Sequence, residues 1–228
     1  MDPEDTEPEE QEPEEDETEA LSDVAFGLFE VLLNRGLRIR GPYLFEMVEK
    51  GVEFRAEFDT IFEGFRSEYP PLADALIQRF GSPDAIYARF RGGEGVIPSR
   101  TTLMYWIVQD APGASPGQVD DEKVGKWLIF LEEDQVDEGW RRVRDDTCAG
   151  LLGISSKVST AKPNPESRDR RKVIYVYTRD WADEADVMRI RERLRERGFT
   201  ERIGYKRNIE TYRGEYSQKG KKVTFYSA

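Results

Sequence analysis

The spacing of apolar residues in this 228-residue chain changes near residue 99. Before that point they recur at helical spacing, and after it they form short β-branched and aromatic runs bounded by turn residues, as strands do. The few helices that lie among those runs are expected to pack on one face of a single sheet. The sequence therefore predicts an α+β architecture, with a small all-α module over residues 21–98 and a sheet domain over residues 99–228.

Charge is distributed unevenly along the chain. Residues 1–20 carry 12 acidic residues and no basic one, which leaves 34 acidic and 34 basic residues in the remainder. The last third, residues 157–228, is cationic, with 19 basic and 11 acidic residues. We predict that residues 1–20 form a disordered acidic tail that aids solubility. The alternative is that the tail competes with anionic ligands for the cationic third.

The rarest residues exclude several classes of chemistry. The chain contains no histidine and a single cysteine, Cys148. Catalysis by an imidazole base, most zinc sites and an internal disulfide are therefore excluded. No run of residues approaches the length of about 18 apolar residues that a membrane span needs. We expect a cytoplasmic protein with no membrane association, no bound metal and no cofactor.

Apolar stripes at helical spacing lie within residues 25–32, 54–65 and 73–80. Gly36 is expected to end the first helix, and the third is expected to begin at a proline pair and to end at Gly81. Aromatic residues at this spacing usually belong to a core. Residues 21–98 are therefore predicted to be a structural module, and the alternative is that they present a groove to a protein partner.

The second part of the chain contains five strand-like runs and two helical patterns. One helix is expected after Asp134, and another has Asp183 in its first turn and Arg195 in its last, a charge placement that suits the helix dipole. The strand-like runs are residues 103–109, 126–131, 152–160, 172–178 and 222–226.

Alternation along these strands indicates a polar sheet face. Ser155, Lys157 and Ser159 share one side of their strand, and Lys126 lies on the side opposite Trp127. Cations interleaved with aromatic residues are suited to neutralising phosphates and stacking bases. The alternative for each single residue is a solvated surface charge. The candidate phosphate-binding residues are Lys126, Lys157, Lys206, Arg207 and Arg213.

Several strings in the last hundred residues resemble the basophilic-leukaemia-expressed protein family, whose shared domain is a domain of unknown function. The strings are Gly125–Leu131 (GKWLIFL), Val136-Asp137 with Trp140, Ile154–Val158 (ISSKV), Val173–Thr178 (VIYVYT) and Tyr205-Lys206. The resemblance covers somewhat less than half of the chain and leaves residues 21–98 outside.

The same region is similar to the cap-binding translation initiation factors. This similarity implies a curved, mostly antiparallel sheet with helices on one face, and a basic strand around Lys157 that contacts phosphates. The loop tryptophans that hold the methylated base have no counterpart between Gln109 and Lys126, because those 16 residues contain no aromatic. The similarity therefore implies phosphate or RNA contact rather than cap recognition.

The region also resembles the phosphothreonine lyases of bacterial effectors. The resemblance implies Lys157 as a general base and Lys126, Lys206, Arg207 and Arg213 as phosphate ligands. Leu128 occupies the position of the histidine acid in that family, and a leucine cannot protonate a leaving group.

The leading hypothesis is a non-catalytic domain that binds a phosphorylated ligand, RNA or a nucleotide, on its basic sheet face. The first alternative is phosphate elimination from a phosphopeptide with Lys157 as base. The second alternative is a protein-interaction adaptor that acts through residues 21–98.

Overall fold

The computed structural model describes residues 13–114, 119–165, 170–209 and 224–228, and the side chains from residue 18 onward. The chain divides into two compact units, Met1–Val96 and Ile97–Ala228. Within the described residues the first unit is helical and the second is an α+β sheet structure. The predicted fold class, a helical module followed by an antiparallel sheet with helices, is confirmed.

Five helices form the described part of the first unit. They are α1 (Pro13–Arg40), α2 (Leu44–Glu49), α3 (Arg55–Glu68), α4 (Pro70–Phe80) and α5 (Pro83–Arg91). The proline start and the glycine end of α4 were predicted, and Gly81 takes the positive φ of 86° that favours glycine at this position. Two helices were not predicted. The first of these, α2, has only six residues. The main sequence signal for the second, α5, is its N-cap residue Ser82, whose hydroxyl accepts a hydrogen bond from the Ala85 amide over 3.2 Å.

The prediction that Gly36 ends the first helix is wrong, because α1 continues to Arg40. A Cβ atom at Gly36 would lie 2.5 Å from Cδ1 of Ile61 on α3. Glycine at this position therefore allows α3 to approach the backbone of α1 closely. The residue serves helix packing and not helix termination.

Phenylalanine side chains form the core of the first unit, as their helical spacing predicts. The ring of Phe29 on α1 lies 5.2–5.4 Å from the rings of Phe58, Phe62 and Phe65 on α3. All four side chains are buried. Burial of each such ring contributes roughly 1.5–3 kcal/mol, so this cluster is the main source of packing energy between α1 and α3.

The first helix begins earlier than the tail prediction implies. Residues 13–20 of the segment predicted as a disordered tail are helical, and residues 1–12 lie outside the described residues. Arg79 of α4 donates to Asp23 over 2.6 Å and to Glu19 over 3.2 Å. Acidic residues near a helix N-terminus also interact favourably with the helix dipole. Both effects stabilise the first turns of α1.

Glu30 on α1 gives the first unit an expected pH dependence. Burial raises the pKa of Glu30 to about 8, and a hydrogen bond from Asn34 offsets part of this rise. When folding raises the pKa of a carboxyl group, the folded protein loses stability as the pH rises from 4.5 toward 8, because the folded state disfavours the ionised form. We expect Glu30→Gln to raise the free energy of unfolding by about 4 kcal/mol near pH 8 and by about 2 kcal/mol near pH 6.

Urea denaturation followed by far-ultraviolet circular dichroism measures this difference, because the helical unit dominates that signal. Glu63→Gln, at an exposed position of α3, is the matched control and should leave the pH dependence unchanged. A Glu30→Gln variant with the same pH profile as the wild type would contradict the expectation.

In the described part of the second unit, a short 3-10 turn at Pro98–Arg100 precedes six strands and two helices, and residues 208–209 are also helical. The sheet order is β1-β3-β4-β2-β5-β6, and every pair is antiparallel. The strands are β1 (Trp106–Asp110), β2 (Gly125–Leu131), β3 (Ser155–Ser159), β4 (Lys172–Thr178), β5 (Gly204–Arg207) and β6 (Tyr226–Ser227). The helices are α6 (Val136–Cys148) and α7 (Glu184–Glu196).

Both helices pack on one face of the sheet. Trp127 of β2 and Trp140 of α6 are fully buried there, and the indole of Trp127 donates to the Val187 carbonyl of α7 over 3.1 Å. Strand β5 was not predicted, and of the predicted strand at residues 222–226 only the last residue lies in β6, with 222 and 223 outside the described residues. Among the helices that the structure describes, none combines the length and apolarity required to cross a bilayer.

Candidate functional site

The sheet face opposite α6 and α7 carries a row of cations and rings. Lys126 of β2 lies opposite Tyr177 of β4 on one side and Lys206 of β5 on the other. Lys157 of β3 lies opposite Tyr175 of β4. We name this surface the basic-aromatic face and define it by Trp106, Lys126, Lys157, Tyr175, Tyr177 and Lys206.

Lys126 is the most buried of these cations, with 6% of its surface exposed. Its Nζ donates to Asn208 Oδ1 over 3.2 Å and lies 5.1 Å and 5.6 Å from the ring centroids of Tyr175 and Tyr177. Burial, followed by the charges of Lys157 and Lys206, lowers the pKa of Lys126 to about 8. In mildly alkaline solution the protonated and neutral forms of Lys126 are therefore present in nearly equal amounts.

Lys157 lies against rings from two neighbouring strands. Its Nζ is 4.1 Å from the ring centroid of Trp106 on β1 and 5.3 Å from that of Tyr175 on β4. The two rings are 5.3 Å apart. Burial lowers the pKa of Lys157. Aromatic faces attract an ammonium ion, so the rings hold this lysine on the face while keeping much of its surface out of water.

The structure brings together three of the five predicted phosphate ligands. Lys126, Lys157 and Lys206 share the basic-aromatic face, whereas Arg207 lies on the opposite side of β5 because neighbouring strand residues alternate. The guanidinium of Arg207 lies 5.0 Å from the ring centroid of Trp181 and 4.7 Å from that of Phe225. Arg213 lies outside the described residues.

Sequence reasoning missed the rings and one carboxylate of this surface. Tyr175 and Tyr177 contact both Lys126 and Lys157, and alternation along β4 would have placed them on this face. Asp110, at the end of β1, lies opposite Ser155 and has its pKa raised by burial. Its side chain belongs to the same face as Lys157, at a diagonal position about 7 Å away.

This arrangement favours anions. Three ammonium groups on β3, β2 and β5 raise the local positive potential of one sheet face, and the surrounding rings reduce the screening by water. Tyrosine and tryptophan rings beside those groups offer surfaces on which a planar base can stack. Phosphate and base recognition are thus available on one side of the sheet.

Comparison with known proteins identifies a family for most of this unit. Residues 118–214 match the family model described as basophilic leukemia-expressed protein Bles03. The matched stretch includes β2, α6, β3, β4, α7 and β5, and hence Lys126, Lys157 and Lys206. The family resemblance predicted from the sequence is confirmed for this domain.

Solved structures that are similar to part of this chain include complexes of eIF4E proteins. C. elegans eIF4E-3 with the 4E-binding protein Mextli and a cap analog is 16% identical over 47% of this chain and 65% of that chain, with a TM-score of 0.36. Ascaris suum eIF4E-3 with the m2,2,7G cap is 17% identical over 54% and 68%, with a TM-score of 0.36. Schistosome eIF4E with m7GpppA and 4E-BP is 18% identical over 50% and 64%, with a TM-score of 0.37. This chain spans slightly less than two thirds of the first and third of these proteins.

Proposed function

We propose that this chain, which carries a Bles03 family domain over residues 118–214, binds a nucleoside phosphate on its basic-aromatic face without chemical turnover. The ligand is either a free nucleotide or a nucleotide within RNA. The observation that carries the proposal is the placement of Lys126, Lys157 and Lys206 on one face, with rings between them.

The lysines supply the charge for this interaction. Lys157 and Lys206 are half-buried and lie on either side of β4 and β2, so phosphate oxygens can approach both of them from the same side of the sheet. Lys126 lies between them and is more deeply buried. An anion over the face raises the pKa of Lys126 and so favours its charged form.

The rings supply the second part of the interaction. Trp106 is half-buried beside Lys157, at the edge strand β1, where one side of the indole can meet a base. Stacking of a base on an aromatic ring contributes about 1–3 kcal/mol and tolerates any base. We therefore expect affinity for nucleoside phosphates to exceed that for inorganic phosphate, with little base preference.

The test is a binding titration of the full chain with a uridine dodecamer RNA, with GTP and with inorganic phosphate, each repeated over a series of salt concentrations. Contact of three lysines with single-stranded RNA gives a slope of about −2 in a plot of log affinity against log salt. We expect Lys157→Ala to reduce RNA affinity about fivefold and to bring the slope to about −1.4.

Lys50→Ala is the matched control, because Lys50 is an exposed lysine of the first unit that pairs only with Glu46 on its own helix among the contacts described. It removes the same charge and should leave the slope unchanged. Equal effects of Lys50→Ala and Lys157→Ala, or a slope near zero, would reject the proposal. Equal affinities for GTP and for the RNA would mean that the basic-aromatic face binds a single nucleotide.

The enzymatic alternative is supported by one specific observation, the lysine and carboxyl groups whose pKa values are shifted on this face. Burial lowers the pKa of Lys157 and raises that of Asp110. Elimination requires a neutral Lys157 to remove the α-proton of phosphothreonine and a protonated Asp110 to donate a proton to the leaving phosphate as the Cβ–O bond breaks, and both pKa shifts are in the direction of these forms. Release of phosphate from a phosphothreonine peptide that both Lys157→Ala and Asp110→Asn abolish would replace the binding proposal with this one.

A further inference from the structure

Helix α1 has a second apolar side that does not face the core of its own unit. The core side consists of buried residues such as Phe26, Phe29 and Leu33. On another side Val24 and Val31 are 65% and 57% exposed, and Ile39 is 80% exposed. We name this surface the outer stripe and define it by Leu21, Val24, Leu28, Val31, Leu32 and Ile39.

The outer stripe has the spacing of a helix-pairing surface. Leu21, Val24, Leu28 and Val31 follow each other at alternating intervals of three and four residues, which is the a and d pattern of a coiled coil. The stripe spans residues 21–39, about 27 Å at the rise of an α-helix. A long apolar stripe exposed to water is characteristic of a protein interaction surface.

The charge along α1 indicates what covers this stripe. Residues 14–17 are all acidic, and residues 34–40 carry three arginines and no acidic residue. Arg35 is exposed and falls at the next a position of the stripe, in line with Leu21 and Leu28. A helix with an acidic first half and a basic last half complements itself only when two copies run antiparallel.

We propose that α1 pairs with α1 of a second copy of this chain as an antiparallel two-helix interface along the outer stripe. In an antiparallel pair each a position lies beside a d position of the partner, so in the register that brings the basic end to the acidic start, Leu28 lies opposite Val24 of the partner and Leu21 lies opposite Val31. Arg35 then lies at the height of position 17 of the other copy, at the end of its acidic residues 14–17. The interface is isologous and closes as a dimer.

Sedimentation equilibrium of the full chain tests the association. We expect a mass of twice 26.4 kDa for the wild type. The double variant Val24→Glu with Val31→Glu is expected to sediment as a monomer, with a dissociation constant raised at least about a hundredfold, because it places unpaired charges in the interface. Both side chains are exposed in one copy, so thermal unfolding of the monomer should not change. Val52→Glu, at an exposed valine outside α1, is the control and should remain a dimer.

Cysteine cross-linking tests the direction of pairing, in a Cys148→Ser background. Leu21→Cys and Val31→Cys chains should form a disulfide-linked dimer when mixed and oxidised, whereas each variant alone should not. Two copies of position 21, or of position 31, are about 15 Å apart along the antiparallel pair, too far for a disulfide.

Three outcomes would overturn the proposal. A wild type that is monomeric at every concentration shows that α1 does not pair, whether the stripe is solvated or contacts another part of its own chain. A dimer that survives Val24→Glu with Val31→Glu places the interface elsewhere. Cross-linking of Leu21→Cys with itself shows a parallel pair.

Discussion

Replacing Lys126 with methionine is expected to weaken binding of nucleoside phosphates about tenfold and to raise the free energy of unfolding by about 2 kcal/mol. The two effects have one cause. Lys126 is 6% exposed, and its surroundings lower its pKa from 10.5 to about 8. A shift of this size corresponds to about 3 kcal/mol by which the folded protein disfavours the ammonium. Methionine packs as the aliphatic part of the lysine does, but it loses the cation–π attraction of Tyr175 and Tyr177. The net gain in the free energy of unfolding is therefore about 2 kcal/mol.

The pH dependence of stability follows from the direction of the shift. A lysine whose folded-state pKa lies below its unfolded value destabilises the folded state fully at pH values under the lower pKa. The cost disappears as the pH rises from about 8 to 10.5. The stability gained by Lys126→Met should therefore be complete in neutral buffer and absent in strongly alkaline buffer. Urea denaturation followed by tryptophan fluorescence reports on this unit, since all four tryptophans lie after residue 97.

Lys172→Met is the matched control on the same sheet. Lys172 begins β4, donates to the Thr160 carbonyl over 2.7 Å and lies 3.7 Å from a carboxylate oxygen of Glu133. Its loss should lower the free energy of unfolding slightly and leave ligand affinity unchanged. If Lys126→Met also lowers stability, Lys126 is a structural residue and its place on the face has no connection with anion binding.

Strand periodicity was sufficient to predict on which side of its strand each of the two central lysines lies. Lys126 and Lys157 lie in strand runs long enough to recognise, and alternation places Lys126 on the side opposite Trp127 and Lys157 on the side opposite Val158. What the sequence did not provide was the order of the strands. The sheet order places β4 between β3 and β2, and this order brings Tyr175 and Tyr177 between the two lysines.

Arg207 shows where such reasoning fails. Strand β5 has four residues and begins with glycine, so neither its length nor its composition indicates a strand. Because no strand was predicted there, alternation could not be applied, and the neighbouring cations Lys206 and Arg207 were assigned to one cluster. The pairing of Gly125 with Arg207 and of Lys126 with Lys206 assigns them to opposite faces. The strand forms because β2 offers it an edge, which is a tertiary effect that no local pattern records.

The second large effect concerns the two helices behind the face. Asp146 of α6 is buried and accepts hydrogen bonds from Arg193 of α7 and from Arg197 just beyond its end, with Nε to Oδ2 distances of 2.7 Å in both cases. Burial alone would raise the pKa of Asp146, but the two guanidinium groups lower it overall. We expect Asp146→Asn to reduce the free energy of unfolding by about 3 kcal/mol, the usual cost of breaking a buried ion pair.

Glu138→Gln provides a control with the same chemistry at the surface. Glu138 also contacts two arginines, Arg141 and Arg142 on its own helix, but its side chain is 46% exposed. Exposed pairs contribute at most about 1 kcal/mol, so Glu138→Gln should change stability by less than about 0.5 kcal/mol. The comparison isolates burial, because both substitutions replace a carboxylate with an amide. Equal effects of the two variants would mean that Arg193 and Arg197 are solvated in solution and do not hold α6 to α7. If Asp146→Asn destabilises the protein more than Glu138→Gln does, and its RNA affinity below the unfolding transition is unchanged, the ion pairs of Asp146 stabilise the fold and take no part in binding.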